Sequence, residues 1–168
     1  IPGAELKIAE DGEVCMRGRH VFKGYYKNDE ITAETIDAEG WLHSGDIGTI
    51  DDAGFLNITD RKKDILITAG GENIAPQLIE GQLKAIPVVA QAVVVGDRRK
   101  YLAALFTLDP EKVLAEAQAC GSTATDTESA STCETFHAHL LAQVEGINKT
   151  LSRVQTIKRF VMIPGEFT

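Results

Sequence analysis

Apolar and polar residues alternate over Glu5–Ile8, with Leu6 and Ile8 set against Glu5 and Lys7, the period of a half-buried strand. Asp11-Gly12 marks a turn, and Glu13–Arg17 reads as the partner strand. A short helix is expected from Ile31 to Ile36, ahead of a turn at Glu39-Gly40. Ile47–Ile50 and Phe55–Ile58 flank Asp51-Asp52-Ala53-Gly54, a second hairpin with glycine at its last loop position. Five consecutive charged residues, Asp60 to Asp64, then interrupt the pattern. Asp64–Thr68 encloses Ile65, Leu66 and Ile67, a run suited to a buried strand, and Gly70-Gly71 breaks it. Pro76 fits the first turn of a helix whose apolar face is Ile79, Leu83 and Ile86. Val88–Val95 and Tyr101–Leu108 are strands joined by a polar loop, and Asp109-Pro110 opens the next helix. Residues 121–132 hold seven Ser or Thr in twelve and no large apolar side chain, which predicts a flexible loop. Ser131 and Glu134 have the spacing of a capping box before a helix carrying Phe136, Leu140, Val144, Ile147 and Leu151. Thr156–Ile163 is the last strand, followed by Pro164-Gly165. The pattern predicts an α+β chain of two small units joined near residues 60–64: a β-rich one, then one with helices packed on a sheet.

Composition narrows the function classes. At 168 residues the chain can bury roughly 68–70% of its unfolded surface. Its 17 Lys and Arg against 25 Asp and Glu leave a net charge of −8, which argues against nucleic acid as a partner. No apolar run approaches the ~20 residues of a membrane-spanning helix. The start at Ile1-Pro2-Gly3 has neither the basic nor the apolar region of a signal peptide. Cys15, Cys120 and Cys133 are odd in number and far apart, which favours reduced thiols over a disulfide frame or a zinc site. These bounds point to a soluble intracellular protein.

Candidate chemistry is sparse. His137 and His139 are two apart on an expected helix and point about 200° apart, so they cannot clasp one metal. His20 and His43 have no evident partner, and no metal site is expected. No phosphate-binding GxxxxGK[ST] loop, GxSxG or GxGxxG is present. Special residues concentrate in two segments. In Gly40–Asp46 a carboxylate ends a glycine-bounded turn, fitting either a vicinal diol or a plain Asx-turn. In Asp60–Glu80, Arg61 could grip a hydroxyl or phosphate, Lys62 and Lys63 could be a solvated charge run, and Gly70-Gly71 could admit a ligand or make a tight turn.

The stretch GEVCMRGRHVFKGYYKN…GWLHSGDIGTIDDAGFLNITDRKKDILITAGGENIAPQLIE resembles the adenylate-forming superfamily of acyl- and aryl-CoA synthetases, luciferase-like ligases and peptide-synthetase adenylation domains. Within it, ITAGGENIAP followed by VVVGDRRKYLAALFTLDPE is most similar to the long- and very-long-chain fatty acyl-CoA synthetases of the bubblegum type. The similarity covers nearly the whole chain and is weakest over residues 121–132. It implies that residues 1–60 are the last β-rich subdomain of a large N-terminal domain, 61–64 a hinge, and 65–168 a mobile C-terminal domain. A phosphate loop and acyl tunnel would precede Ile1, and the adenylation lysine would follow Thr168, so no catalytic residue is expected within the chain and the chain alone should be inactive.

Residue by residue, the resemblance implies that Asp46 binds both ribose hydroxyls, Ile58 lines the nucleotide pocket, and Arg61 contacts ribose and orients phosphate. Many relatives have glycine where this chain has Asp60. Lys63 matches the hinge pivot, and Gly70-Gly71 the turn that lines the pantetheine tunnel. Asn73 and the basic loop Arg98-Arg99-Lys100 are expected to receive CoA, the latter on charge. The implied substrates are a fatty acid, ATP and CoA, with AMP as product and Mg²⁺ held mainly outside this chain. The missing N-terminal domain is the implied partner; any membrane contact would run through it, placing the protein in the cytoplasm or on the face of an organelle membrane. The alternatives are an adenylation domain of a peptide synthetase or aryl-CoA ligase, or a non-catalytic nucleotide-binding module.

Overall fold

Four short antiparallel strands form from the alternating positions of the first sixty residues: β1 (Glu5–Ile8), β2 (Glu13–Arg17), β3 (Leu42–Ile50) and β4 (Leu56–Arg61), ordered β1-β2-β3-β4. The computed structural model describes residues 2–165 and 167, so the expected chain start at Ile1 and the tail positions Glu166 and Thr168 lie outside the described residues. The chain divides into two compact units, Ile1–Ile65 and Leu66–Thr168.

In the first unit the β1–β2 register sets Leu6 opposite Met16 and Ile8 opposite Val14. The helix α1 (Asp29–Thr35) starts earlier than the apolar pattern indicates, because the Asn28 side chain accepts the Ile31 N–H at 3.1 Å and caps it. Trp41 is buried against two cations, with Lys7 Nζ 4.2 Å and the Arg17 guanidinium 4.4 Å from its ring. β3 begins at Leu42, not Ile47, so Gly40–Asp46 is not a turn ending in a carboxylate; Asp46 lies inside a strand. The strand can continue because Gly45, at φ +74°, absorbs an irregularity in which Ser44, Gly45 and Asp46 together face the single Val14 of β2.

The second unit opens with a two-residue ladder between β5 (Leu66–Ile67) and β6 (Asn73–Ile74). The buried strand expected over Asp64–Thr68 is therefore corrected: Lys62–Asp64 is a 3-10 turn, and Ile67 is half exposed because so short a ladder has no sheet to cover it. After α2 (Pro76–Leu83), β7 (Val89–Val95) and β8 (Leu102–Leu108) pair antiparallel, and β9 (Ile157–Ile163) joins β8 in parallel. A parallel neighbour needs a long return, supplied by α3 (Pro110–Cys120), α4 (Thr127–Thr132) and α5 (Glu134–Asn148). Phe136, Leu140 and Val144 of α5 bury one helical face in the core that holds Leu102, Phe106 and Val113.

Two expectations fail around α4. Residues 127–132 are helical, not loop, because Asp126 and Ser129 form a reciprocal capping box, with Ser129 N–H to Asp126 Oδ1 at 2.8 Å. Ser131 does not cap α5; it lies within α4, where its hydroxyl donates to the Glu128 carbonyl at 2.7 Å. Among the described residues no helix is long and apolar enough to cross a membrane.

Candidate functional site

Asp46 and Arg61 are direct cross-strand partners on β3 and β4, with Arg61 Nε 2.9 Å from Asp46 Oδ1. Ile58 lies three residues before Arg61, an odd spacing that would place it on the opposite face of a regular strand. The register shifts between Ile47 and Gly48, leaving Thr59 as an extra residue whose hydroxyl donates to the Ile47 carbonyl at 3.2 Å. With that bulge, Ile58 faces Gly48 and Arg61 faces Asp46, so all three expected nucleotide residues share one sheet face. Gly48 is required there: a Cβ would lie 2.8 Å from the Asn57 carbonyl oxygen and 2.9 Å from Val14 Cγ2. Ile58 is 53% exposed, an apolar side chain standing beside a carboxylate and a guanidinium. A carboxylate accepts through two oxygens and a guanidinium donates in a planar fork, a set suited to a diol next to a phosphate.

The opposite face holds a network that the sequence reading missed. The Glu13 carboxylate is buried and accepts His43 Nδ1 at 2.8 Å, Lys62 Nζ at 3.0 Å and the Gly45 N–H at 2.9 Å. Burial pushes the Glu13 carboxyl up, but these three donors outweigh it and hold it below its ordinary value. Lys62 also meets Asp11 at 2.7 Å, and this pair lowers Asp11 and raises Lys62. His43, without an evident partner in sequence, therefore has Glu13 on one ring nitrogen and Asp37 at 3.7 Å from the other. Glu13, Cys15 and His43 bring one possible metal-ligand atom each within 4.8 Å of one another. These atoms already engage one another and Lys62, with His43 Nδ1 on the Glu13 carboxylate at 2.8 Å and Cys15 Sγ 3.6 Å from the same ring nitrogen, so the cluster is a hydrogen-bonded network. The one available signal was parity: Glu13 and Cys15 alternate with Val14 and so share a face.

Lys63 sits exposed in the Lys62–Asp64 turn. In the second unit Gly70-Gly71 form the tip between β5 and β6, where Gly71 adopts φ +82° and its N–H reaches the Thr68 carbonyl at 2.9 Å. Asn73 is exposed on β6. The basic loop is tied to this arm: Arg98 N–H donates to the Ile67 carbonyl at 2.7 Å, Ala69 N–H to the Arg99 carbonyl at 3.0 Å, and Ile67 N–H to Asp97 at 3.0 Å. Thus Gly70, Gly71 and Asn73 share one substructure with Arg98, Arg99 and Lys100, beside an open cleft of about 750 Å³. Arg98 is held at φ +56°, with its side chain 90% exposed. Two further histidines have local roles, His139 pairing with Glu116 at 2.7 Å and His137 stacking on Phe160.

Residues 63–166 match the family model of the AMP-binding enzyme C-terminal domain. The chain is 42% identical over 169 residues to the long-chain-fatty-acid–CoA ligase FadD15 of Mycobacterium tuberculosis, covering 100% of the chain and 28% of that protein. It is 56% identical over 101 residues to the long-chain-fatty-acid–CoA ligase ACSBG2 of Mus musculus, covering 60% of the chain and 15% of that protein. Its fold is similar to the adenylation domain of a carboxylate reductase from Mycobacterium chelonae, with a TM-score of 0.75 at 23% identity over 98% of this chain and 26% of that one. The chain spans about 28% of the length of the first of these relatives.

Proposed function

The chain belongs to the AMP-binding enzymes through their C-terminal domain, and from that membership we propose that it is the C-terminal part of a long-chain-fatty-acid–CoA ligase. Residues 1–60 belong to the large domain on this reading, 61–64 are the hinge, and 65–168 the mobile domain. The observation that carries it is the single sheet face bearing Asp46, Arg61 and Ile58. Asp46 accepts hydrogen bonds from the ribose hydroxyls, Arg61 donates to ribose and phosphate, and Ile58 offers an apolar wall.

In the proposed reaction a fatty carboxylate oxygen attacks the α-phosphorus of ATP, the bond to the β-phosphate breaks, and acyl-adenylate and pyrophosphate form. The CoA thiolate then attacks the acyl carbonyl and AMP leaves, a better leaving group than the hydroxide of a free acid. Lys63 serves as a backbone pivot between the two half-reactions, a reading supported by its short exposed turn next to the division between units. Gly70, Gly71 and Asn73 line the pantetheine path, and Arg98, Arg99 and Lys100 attract the CoA phosphates. The Asp46 carboxylate is already paired with Arg61, a donor set that fits ribose and phosphate better than a metal cation, so no ligand to Mg²⁺ is assigned within this chain.

The test is ATP- and CoA-dependent thioester formation by the full-length parent across short, long, very-long and aromatic acids. A maximum at long or very long chains supports the reading. Tight AMP binding without thioester from any acid overturns it in favour of a carrier-loading adenylation domain or a non-catalytic binding module.

A further inference from the structure

Behind the Asp46–Arg61 pair, on the other face of the same sheet, Glu13 stands at the first position of β2 with only 3% exposure. Two of its three hydrogen bonds are placed with a particular symmetry. Gly45, whose N–H bonds Oε1, immediately precedes Asp46; Lys62, whose Nζ bonds Oε2, immediately follows Arg61. Because Asp46 pairs with Arg61 in antiparallel register, positions 45 and 62 are the next rung, yet β4 ends at Arg61. One buried carboxylate takes the place of that rung. It does so where β3 is least regular, at the glycine with φ +74° inside the three-residue irregularity opposite Val14. A carboxylate only accepts, so His43 Nδ1 carries its proton toward Oε2, completing the set. Lys62 is further held by Asp11 at 2.7 Å.

We propose that Glu13 is a positioning residue for the nucleotide: it fixes the separation and aim of Asp46 and Arg61 from the reverse face of the sheet. The proposal rests on the ribose reading of Asp46. Glu13 touches no substrate, so its removal acts through Asp46 and Arg61 and degrades recognition of the ribose hydroxyls in particular.

The experiment compares KM for ATP and for 2′-deoxy-ATP in the full-length parent and in its Glu13→Ala, Glu13→Gln, Asp46→Ala and Glu13→Ala/Asp46→Ala variants. The parent is expected to prefer ATP, and Asp46→Ala to reduce that preference by roughly tenfold, the effect of one hydrogen bond to a charged group. Glu13→Ala should reduce it similarly, with the double variant no worse in preference than Asp46→Ala alone, as expected for residues acting through one element. Glu13→Gln keeps an acceptor for Gly45 but loses the charge facing Lys62, and should fall between; if Glu13→Ala does not fold, this variant decides. A Glu13 variant that raises both KM values by one common factor, leaving the preference intact, overturns the proposal and makes Glu13 a general structural residue. If the parent shows no preference and Asp46→Ala changes nothing, the ribose reading itself fails and the proposal falls with it.

Discussion

Asp46→Ala in the full-length parent separates binding from folding, because the structure assigns the two effects different sizes. The Asp46 and Arg61 side chains are 33% and 53% exposed, so their ion pair is a surface pair worth about 0–1 kcal/mol to the fold. Removing it leaves Arg61 free to hydrate and strands no buried charge. A hydrogen bond from a ribose hydroxyl to an ionised carboxylate contributes more, about 1.5–3 kcal/mol. At about 1.4 kcal/mol per decade, AMP affinity should fall roughly 10–150-fold. The melting temperature should move by no more than about 4 °C. Asp46→Asn keeps one acceptor oxygen without the charge and should lie between. Isothermal titration of AMP into parent and variants, with thermal melts in the same buffer, measures both quantities. An unchanged AMP affinity refutes the ribose assignment. A loss of affinity that tracks a large drop in melting temperature refutes the claim that the pair is peripheral to the fold.

Lys63→Pro fixes the backbone at the proposed pivot, and should leave acyl-adenylate formation near normal while slowing thioester formation; pyrophosphate release and thioester assays must then diverge, and equal loss of both contradicts the pivot. Replacing Arg98, Arg99 and Lys100 together by Gln should raise the KM for CoA and leave that for ATP unchanged, since the loop belongs to the β5–β6 arm; steady-state kinetics with each substrate varied decides it. Gly48→Ala places a Cβ 2.8 Å from the Asn57 carbonyl oxygen, and should cost about 1–3 kcal/mol in stability and weaken AMP binding by displacing β4, so an unaltered melt and affinity would contradict the close packing. Glu13 and Asp11 both titrate below their ordinary values of 4.5 and 3.8 in the folded protein. The stability they contribute is complete above those values and is lost as pH falls through the lower folded values. Melts from about pH 6 to about pH 3 should therefore show a shallower acid loss in Glu13→Gln than in the parent, and identical slopes would exclude the network as a source of stability.

What could be read from the sequence was whatever rests on local chemistry or on a single period. The Asp51–Gly54 hairpin loop, the Pro76 and Asp109-Pro110 helix starts, and the Phe136–Leu140–Val144 face all announce themselves within a few residues. Composition was a poor guide at residues 121–132, because seven Ser or Thr in twelve counts residue types and ignores that Asp126 and Ser129 are spaced to cap a helix. The Asp64–Thr68 run misled for the opposite reason. Its apolar residues are real, but a strand is buried only where neighbours cover it, and β5 has a single two-residue partner.

The candidate site depends on departures from the regular ladder, which no alternation rule can anticipate. In a strand running regularly through Thr59, Ile58 and Arg61 would face opposite ways; the bulge that sets Thr59 apart returns them to one face, where the apolar wall and the guanidinium can serve one ligand. The irregularity around Gly45, opposite Val14 of β2, falls immediately before Asp46, which pairs with Arg61 on the other side of β3. Each bulge removes regular pairing at the place where two side chains must be held at a defined separation. The buried Glu13 supplies the missing constraint across 32 residues to Gly45 and 49 to Lys62. A charged side chain enclosed in a sheet is costly unless several donors meet it, and here two of the three donors belong to the positions flanking the nucleotide pair. That coincidence is what makes Glu13 part of the site's geometry and sets it apart from an ordinary buried ion pair.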